Sequence, residues 1–224
     1  MVRFENVSKQ FGKTKVLDHV SFHIEKGEFV FLVGPSGAGK TTILRLLFRD
    51  LAPTSGKIFL DALDTASLPK GDIPRLRRSI GIVFQDFKVL SDHTVFENVA
   101  VTLDILGKSD REIAKKVPEI LELVGLKDRQ RAFPAQLSAG ELQRVAIARA
   151  VVGGPKLLIA DEPTGNLDPA TSWEIMQILK EINQLGTTII MATHNRDVVD
   201  TMKKRVITLK DGKIAKDQKE GKYQ

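Results

Sequence analysis

The hydrophobic pattern of the chain predicts strands at both ends. The first sixty residues contain three segments with the short alternating runs of strands: VRFENVSK, KVLDHVSFHI and GKIFL. Continuous apolar runs, typical of strands buried on both faces, occur in EFVFLV, SIGIVF (79–84), KLLIAD (156–161) and TTIIMAT (187–193). Near the end, VITLKDGKIAK places Asp211-Gly212 between two alternating runs, which predicts a hairpin.

Between these strands the pattern becomes helical. Apolar residues recur at helical spacing in DREIAKKVPEILELVGL and LSAGELQRVAIARA, and Gly153-Gly154-Pro155 closes the region. We therefore expect an α/β protein with one domain, residues 1–224. Its sheet-bearing core would comprise residues 1–86 and 153–224, and a helical subdomain, residues 87–152, would be inserted into it.

Composition excludes several classes of protein. The chain has 224 residues, 42% of them hydrophobic and 28% charged, which is a globular balance rather than a disordered one. It has no cysteine, which excludes disulfides, thiolate zinc sites and a cysteine nucleophile. Because there is no signal-peptide pattern and no apolar run long enough for a bilayer, we expect a cytoplasmic protein.

The net charge of +6 comes largely from the end of the chain, in KKR (203–205) and then Lys210, Lys213, Lys216, Lys219 and Lys222. We expect a solvated, fraying tail. The alternative is attraction to anionic lipid or nucleic acid. Aromatic residues make up 6% of the chain and none alternates with this basic run, so no nucleic-acid partner is expected.

GPSGAGKTT (34–42) matches the phosphate-binding pattern G-x-x-x-x-G-K-[ST] between a predicted strand and a predicted helix. Glycines let backbone N–H groups curl around phosphate oxygens. Lys40 is expected to reach the β- and γ-phosphates of a nucleotide, and the Thr41 hydroxyl to ligate Mg²⁺. The candidate nucleotide-binding residues of this loop are Gly34, Pro35, Ser36, Gly37, Ala38, Gly39, Lys40, Thr41 and Thr42.

LLIADEP (157–163) supplies the acidic residues that such a loop requires. Asp161 emerges at the end of a predicted strand, where a P-loop enzyme holds Mg²⁺. Glu162 follows at once and is placed to polarise the water that attacks the γ-phosphate. The two motifs together predict an ATPase or a GTPase.

LSAGELQRVAIARA contains an unusual helix start. Ser138 is a predicted N-cap, and Glu141 completes a capping box. Ala139 and Gly140 leave the first turn with almost no side chain, which suits an approaching anion.

This segment, placed before LLIADEP, resembles the signature motif of the ATP-binding cassette (ABC) ATPases. The remaining family motifs occur in order: Gln85 as the Q-loop glutamine, GNLD (165–168) as the D-loop and His194 as the switch histidine. Phe11 lies where an aromatic residue stacks on adenine in the family, although it could instead be a core aromatic. The resemblance implies a P-loop NTPase fold with an antiparallel β subdomain, ATP and Mg²⁺ as cofactors, and catalytic roles for Glu162, His194 and Lys40.

The family resemblance also implies a head-to-tail homodimer around ATP. The predicted contacts with the facing copy's ATP are Ser138, Ala139, Gly140, Glu141 and Asp168, and Gln85 is an expected Mg²⁺ ligand beside Thr41 and Asp161. The usual signature is LSGGQ, so this chain departs from it twice. Ala139 is harmless if it is helical, whereas Glu141 brings a carboxylate near a triphosphate.

EPTGNLD resembles a bacterial subgroup of lipoprotein-release, macrolide-efflux and cell-division ATPases, and VFQDFKVL, TSWEIM and MATHN are most similar to the cell-division type. That resemblance implies a peripheral location at the inner face of the membrane and an FtsX-like integral membrane partner, through which ATP-driven movement regulates septal peptidoglycan hydrolysis. The alternatives are the motor of a lipoprotein or macrolide exporter, and a nucleotide-gated scaffold. Residues 85–106 are the predicted docking surface, unless their apolar residues (Phe87, Val89, Leu90, Val95 and Phe96) belong to the core.

Overall fold

The computed structural model describes residues 1–223, which form two sheets flanked by helices. The smaller sheet has four antiparallel strands in the order β2-β1-β4-β5. Its strands are β1 (Val2–Phe11), β2 (Thr14–Ile24), β4 (Ser55–Leu60) and β5 (Leu63–Asp64). The antiparallel β subdomain that the family resemblance implied is present.

The larger sheet has six strands in the order β10-β9-β3-β8-β7-β6. Strands β3, β6, β7, β8 and β9 pair in parallel, and β10 is antiparallel to β9. Their bounds are β3 Phe29–Val33, β6 Ile80–Val83, β7 Leu157–Asp161, β8 Thr188–Ala192, β9 Arg205–Lys210 and β10 Lys213–Gln218. The predicted hairpin is confirmed, since Asp211 and Gly212 both have positive φ between β9 and β10.

Helices cover the larger sheet and form the middle of the chain. They are α1 (Lys40–Leu47), α2 (Ile73–Arg78), α3 (Val95–Ile105), α4 (Asp110–Leu123), α5 (Ala139–Val151), α6 (Pro169–Gln184) and α7 (Arg196–Met202). Three short 3₁₀ turns join them, at Lys70–Asp72, Lys127–Arg129 and Pro134–Gln136.

The two faces of the larger sheet belong to different hydrophobic clusters, as β3 shows. Phe29, Phe31 and Val33 pack with α3 to α7, whereas Val30 and Leu32 pack with α1 and the smaller sheet. Residues of α3, α4 and α5 lie in the first cluster together with residues of the sheet. The helical segment is therefore not built on a separate core, and its predicted division from the rest at residues 87 and 152 stays a prediction.

The expectation of a fraying basic tail was wrong. Lys210 and Lys213 belong to the β9–β10 hairpin. The Arg205 guanidinium lies 3.0 Å from Glu28 and 2.8 Å from Asp217, and these carboxylates raise the pKa of Arg205. Because strand pairing and ion pairs hold these residues, their charge is part of the folded sheet.

No helix within residues 1–223 is both long enough and apolar enough to cross a bilayer.

Candidate functional site

The loop of residues 34–39 joins β3 to α1, and its glycines are required by close contacts. Gly34 has φ of +143°, and a Cβ there would lie 2.2 Å from the backbone oxygen of Leu209. Gly39 has φ of +104°, and a Cβ there would lie 2.6 Å from the Leu17 side chain. The loop is therefore pressed against neighbouring strands, while Pro35, Ser36 and Gly37 remain exposed.

The start of α1 is open toward solvent. No side chain caps this helix, and its first turn contains no acidic residue. The Lys40 ammonium donates hydrogen bonds to the backbone oxygens of Gly34 (2.7 Å) and Pro35 (3.1 Å), so its charge lies within the loop. Unpaired N–H groups and this charge together form a site suited to phosphate oxygens.

Thr41 and Asp161 meet across the end of the parallel sheet. The Thr41 hydroxyl donates a hydrogen bond of 3.3 Å to Asp161, and burial raises the pKa of the Asp161 carboxyl. Both residues line a cleft of about 840 Å³ together with Gln85. A hydroxyl, a carboxylate and an amide oxygen are hard ligands, so this donor set fits Mg²⁺.

Glu162 and His194 follow the neighbouring parallel strands β7 and β8 and are in contact. Glu162 Oε1 lies 2.9 Å from His194 Nδ1, and Glu162 Oε2 accepts a hydrogen bond of 3.3 Å from the backbone N–H of His194. Glu162 has φ of +50°, a conformation that costs about 1–2 kcal/mol outside glycine. Its backbone N–H donates to the oxygen of Ala192 at 2.9 Å, which holds this conformation. The pair forms a carboxylate whose orientation is fixed by an imidazole, as a general base requires.

Phe11 is the last residue of β1, and its side chain is exposed. The ammonium of Lys9 lies 4.9 Å from the ring centroid. The alternative that Phe11 is a core aromatic was wrong, because 44% of the residue remains accessible. A flat exposed ring of this kind can stack on a base.

The start of α5 is capped by its own side chains. Ser138 Oγ accepts from the Glu141 N–H at 3.3 Å, and Glu141 Oε2 accepts from the Ser138 N–H at 2.9 Å, which confirms the capping box. This backbone hydrogen bond, together with Arg129 at 3.2 Å, lowers the pKa of Glu141. Ala139 is helical and has no positive φ, so its replacement of glycine is harmless here.

Gly140 and Asp168 contact a residue that sequence reasoning missed. Gly140 is buried, and a Cβ there would lie 2.5 Å from Thr171 Cγ2. Thr171 in turn donates both its N–H (3.0 Å) and its hydroxyl (2.5 Å) to Asp168, the N-cap of α6. The spacing of Asp168 and Thr171 is a capping signal visible in the sequence, but its contact with Gly140 is not. The lack of a side chain at Gly140 therefore serves packing within this chain.

The predicted docking segment, residues 85–106, is divided between core and surface. Val95 is buried, and Val89 and Phe96 pack against the core. Leu90 and Ile105 are exposed. Asn98, which the sequence analysis overlooked, is buried and bonds the backbone of Leu90, His93 and Thr94. Its side chain fixes the loop before α3.

Comparison with known proteins identifies the family. A family model described as ABC transporter matches residues 17–165. The chain belongs to the ABC transporter family. This ABC ATPase is 52% identical to the cell division ATP-binding protein FtsE of Bacillus subtilis over 224 residues, covering 100% of this chain and 98% of that protein. It is 47% identical to FtsE of Escherichia coli over 215 residues, covering 96% and 97% of the two chains.

Solved ABC structures share the whole fold. The dimeric, post-hydrolysis form of the cassette MJ0796 with ADP and Pi superposes with a TM-score of 0.88 at 36% identity, covering both chains completely. CbiO1 of Clostridium perfringens gives a TM-score of 0.91 at 34% identity, over 97% of this chain and 88% of that one. This ABC ATPase binds and hydrolyses ATP.

Proposed function

We propose that this ABC ATPase powers a bacterial cell-division complex, working as an ATP-bound homodimer attached to a membrane protein. The observation that carries the ATPase part is the Glu162–His194 pair at the ends of β7 and β8, beside the open start of α1. The proposed role in cell division is supported by the similarity to FtsE proteins along nearly the full length of the chain.

The loop would bind the triphosphate through its backbone N–H groups and Lys40, with adenine stacked on Phe11. The Glu162 carboxylate would accept a proton from the attacking water, and His194 would hold that carboxylate in place. Thr41, Gln85 and Asp161 would hold Mg²⁺, which when bound neutralises charge on the β- and γ-phosphates. The raised pKa of Asp161 supports this role, since a buried carboxylate gains from a cation placed against it.

The start of α5 would close over ATP held by the facing copy, in the head-to-tail dimer expected from the family. Ser138 and Ala139 are exposed at that helix start, so both can meet a second molecule. Gly140, Glu141 and Asp168 complete the proposed contact set. The dimeric form of MJ0796 supports a dimer for this chain.

The test of this catalytic assignment is the Glu162→Gln variant. Without its base the variant should lose at least about 100-fold in turnover, keep ATP affinity, and accumulate an ATP-bound dimer. Phosphate release and light scattering with and without ATP measure these effects. Glu181→Gln, at another exposed position of α6, is the matched control. Normal turnover in Glu162→Gln would show that another group acts on the water.

The membrane partner is proposed to be FtsX-like, with docking at residues 85–106 and the ATPase peripheral at the inner face of the membrane. The exposed part of that segment supports this site, since Leu90, Lys88 and Asp92 are accessible. The alternative partner is the membrane subunit of a lipoprotein or macrolide exporter. We propose that the helical segment, residues 87–152, carries the movement.

Co-purification with the membrane subunit tests the partner. Charge reversal at Asp92, Asp92→Lys, should reduce recovery of an FtsX-like protein by about tenfold and leave basal ATP hydrolysis unchanged, because this side chain does not line the cleft of Thr41, Gln85 and Asp161. Lys88 lines that cleft, so a change there would not separate docking from hydrolysis. Lys180→Glu on α6 is the control. Recovery of an exporter subunit instead would support the alternative function, and unchanged recovery would move the docking surface elsewhere.

A further inference from the structure

The last described residues of the chain are bound to the surface of α7. After β10 ends at Gln218, the Gly221 N–H donates to the backbone oxygen of Lys204 at 3.1 Å. The Tyr223 N–H donates to the Asp200 carboxylate at 2.7 Å. We name residues 219–223 the C-terminal clasp, because they connect the outer face of α7 to the turn that precedes β9.

The fit of this clasp depends on one glycine. Gly221 is buried, and a Cβ there would lie 2.6 Å from Cβ and 2.7 Å from Cγ2 of Val206. These atoms belong to a branched side chain of β9 that cannot turn away at Cβ. Only a residue without a side chain therefore allows the clasp to approach so closely, which shows that the contact is shape-specific.

Tyr223 places its ring against the first residue of α7. The Arg196 guanidinium carbon lies 5.1 Å from the ring centroid, within cation–π range. The same ring packs against the hydrophobic cluster that contains Val198 and Val199 on the inner face of α7. Tyr223 thus contacts Arg196 of α7 and also packs against the hydrophobic cluster to which α7 belongs.

The backbone between Arg196 and the catalytic His194 is held by hydrogen bonds. The Asn195 side chain caps α7 by accepting from the Val198 N–H at 3.1 Å, and the Asn195 N–H donates to the Thr193 hydroxyl at 3.0 Å. His194 lies between these two anchored positions. Its imidazole is 66% exposed, and Glu162 is its one polar side-chain partner among residues 1–223. Asn195 therefore connects the backbone next to His194 directly to the start of α7.

We propose that the clasp is a positioning element for ATP hydrolysis: Tyr223 holds Arg196 and the start of α7, and thereby keeps His194 against Glu162. This role rests on the function proposed for His194. The clasp touches neither the phosphate-binding loop nor Phe11, so it acts on the catalytic step and not on ATP binding. Tyr223 and Gly221 are positioning residues, since neither reaches the nucleotide.

The experiment separates turnover from binding. Tyr223→Ala and Gly221→Leu should each lower kcat about threefold to tenfold and leave KM for ATP unchanged, because the ground-state contacts to ATP remain. Tyr223→Phe should retain wild-type kcat, since the ring and the backbone N–H are preserved. Lys222→Ala, an exposed neighbour, is the control. Hydrogen exchange of the amides of residues 196–202 should accelerate in the first two variants alone.

The outcomes are distinguishable from those of the proposed function. Wild-type turnover in His194→Ala would contradict the role of His194 and with it the whole proposal. Unchanged kcat in Tyr223→Ala, beside an inactive His194→Ala, would contradict the clasp alone. A loss in Tyr223→Phe equal to that in Tyr223→Ala would also overturn the proposal, because the hydroxyl has no part in it. Raised KM with constant kcat would show an effect on ATP binding instead.

Discussion

The starts of α1 and α5 differ in how their backbone N–H groups are used. Helix α1 follows Gly39 in a left-handed conformation, without a side-chain cap and without an acid in its first turn. Helix α5 is capped by Ser138, and its own Glu141 carboxylate already accepts from the Ser138 N–H. An anion reaching α1 finds free donors and Lys40, whereas an anion reaching α5 meets a carboxylate of the protein itself.

Two further helices show that the capping box is a structural device of this region. Thr94 with Glu97 at α3, and Ser109 with Glu112 at α4, form the same reciprocal hydrogen bonds as Ser138 with Glu141. A capping box in this chain therefore indicates a helix start and nothing more. What distinguishes α5 is its place in the signature motif, since the N-cap residue of α4, Ser109, is exposed just as Ser138 is.

The largest effect should come from removing the charge at the open helix start. Lys40→Ala should weaken ATP binding at least about 100-fold, because a charged donor among the phosphate oxygens is lost. Isothermal titration calorimetry measures this affinity. Lys57→Ala, an exposed lysine on β4, should bind ATP normally. Retained affinity in Lys40→Ala would mean that backbone N–H groups alone hold the phosphates.

A smaller effect should follow at the capped helix start. Glu141→Gln keeps the capping box but removes a negative charge that would repel the facing triphosphate. The dissociation constant of the ATP-bound dimer should therefore fall about threefold to tenfold, which corresponds to about 1 kcal/mol. The dissociation constant is measured by sedimentation in the Glu162→Gln background. Glu112→Gln changes the equivalent residue of α4 and should leave dimerisation unaffected. Equal dissociation constants for both variants would place Glu141 away from the interface.

The smallest effect concerns stability and pH, where the acids near the two helices should behave oppositely. Burial raises the pKa of Asp161, so ionisation of this carboxyl opposes folding. Asp161→Asn should therefore raise the Tm of the nucleotide-free protein at pH 7. This gain in Tm should shrink as the pH falls through the raised pKa, because the wild-type carboxyl then becomes neutral as well. The pKa of Glu141 is lowered by the Ser138 N–H, so Glu141→Gln should lower Tm at pH 7. That loss disappears as pH falls below 4.5 through the lowered pKa.

Thermal unfolding from pH 3 to 8 without nucleotide checks both signs. The Glu141 effect should amount to about 1 kcal/mol or less, since side-chain capping interactions at helix starts are of this size. A loss of stability in Asp161→Asn at pH 7 would mean that the Thr41 hydrogen bond outweighs the cost of burial.

Motifs with a fixed local conformation could be predicted from the sequence. The loop at Gly34–Lys40, the capping box at Ser138 and the Asp211-Gly212 turn each depend on residues close together in the chain. The two carboxylates, Asp161 and Glu162, could be placed at a sheet edge because a buried apolar run precedes them. The contact between Glu162 and His194 also required β7 and β8 to be neighbours, which no local pattern states.

Contacts between distant segments escaped prediction. The packing of Gly140 under Thr171 and the docking of Gly221 onto Val206 join residues whose proximity depends on the whole fold. The basic residues near the C-terminus were expected to fray because the sequence shows their charges but does not show which acidic residues pair with them. Arg205 finds Glu28 only because β9 lies beside β3 in the sheet.

The amino-acid sequence of this ABC ATPase was enough to predict candidate phosphate-binding residues, the carboxylates that follow the strands and the positions where helices begin. The three-dimensional structure was needed to show which of these groups meet, that Gly140 packs under Thr171, and that residues 219–223 contact α7. The physical reason is the range of the forces involved. Backbone conformation and capping act within a few residues, whereas strand order and close packing depend on every segment that shares the core.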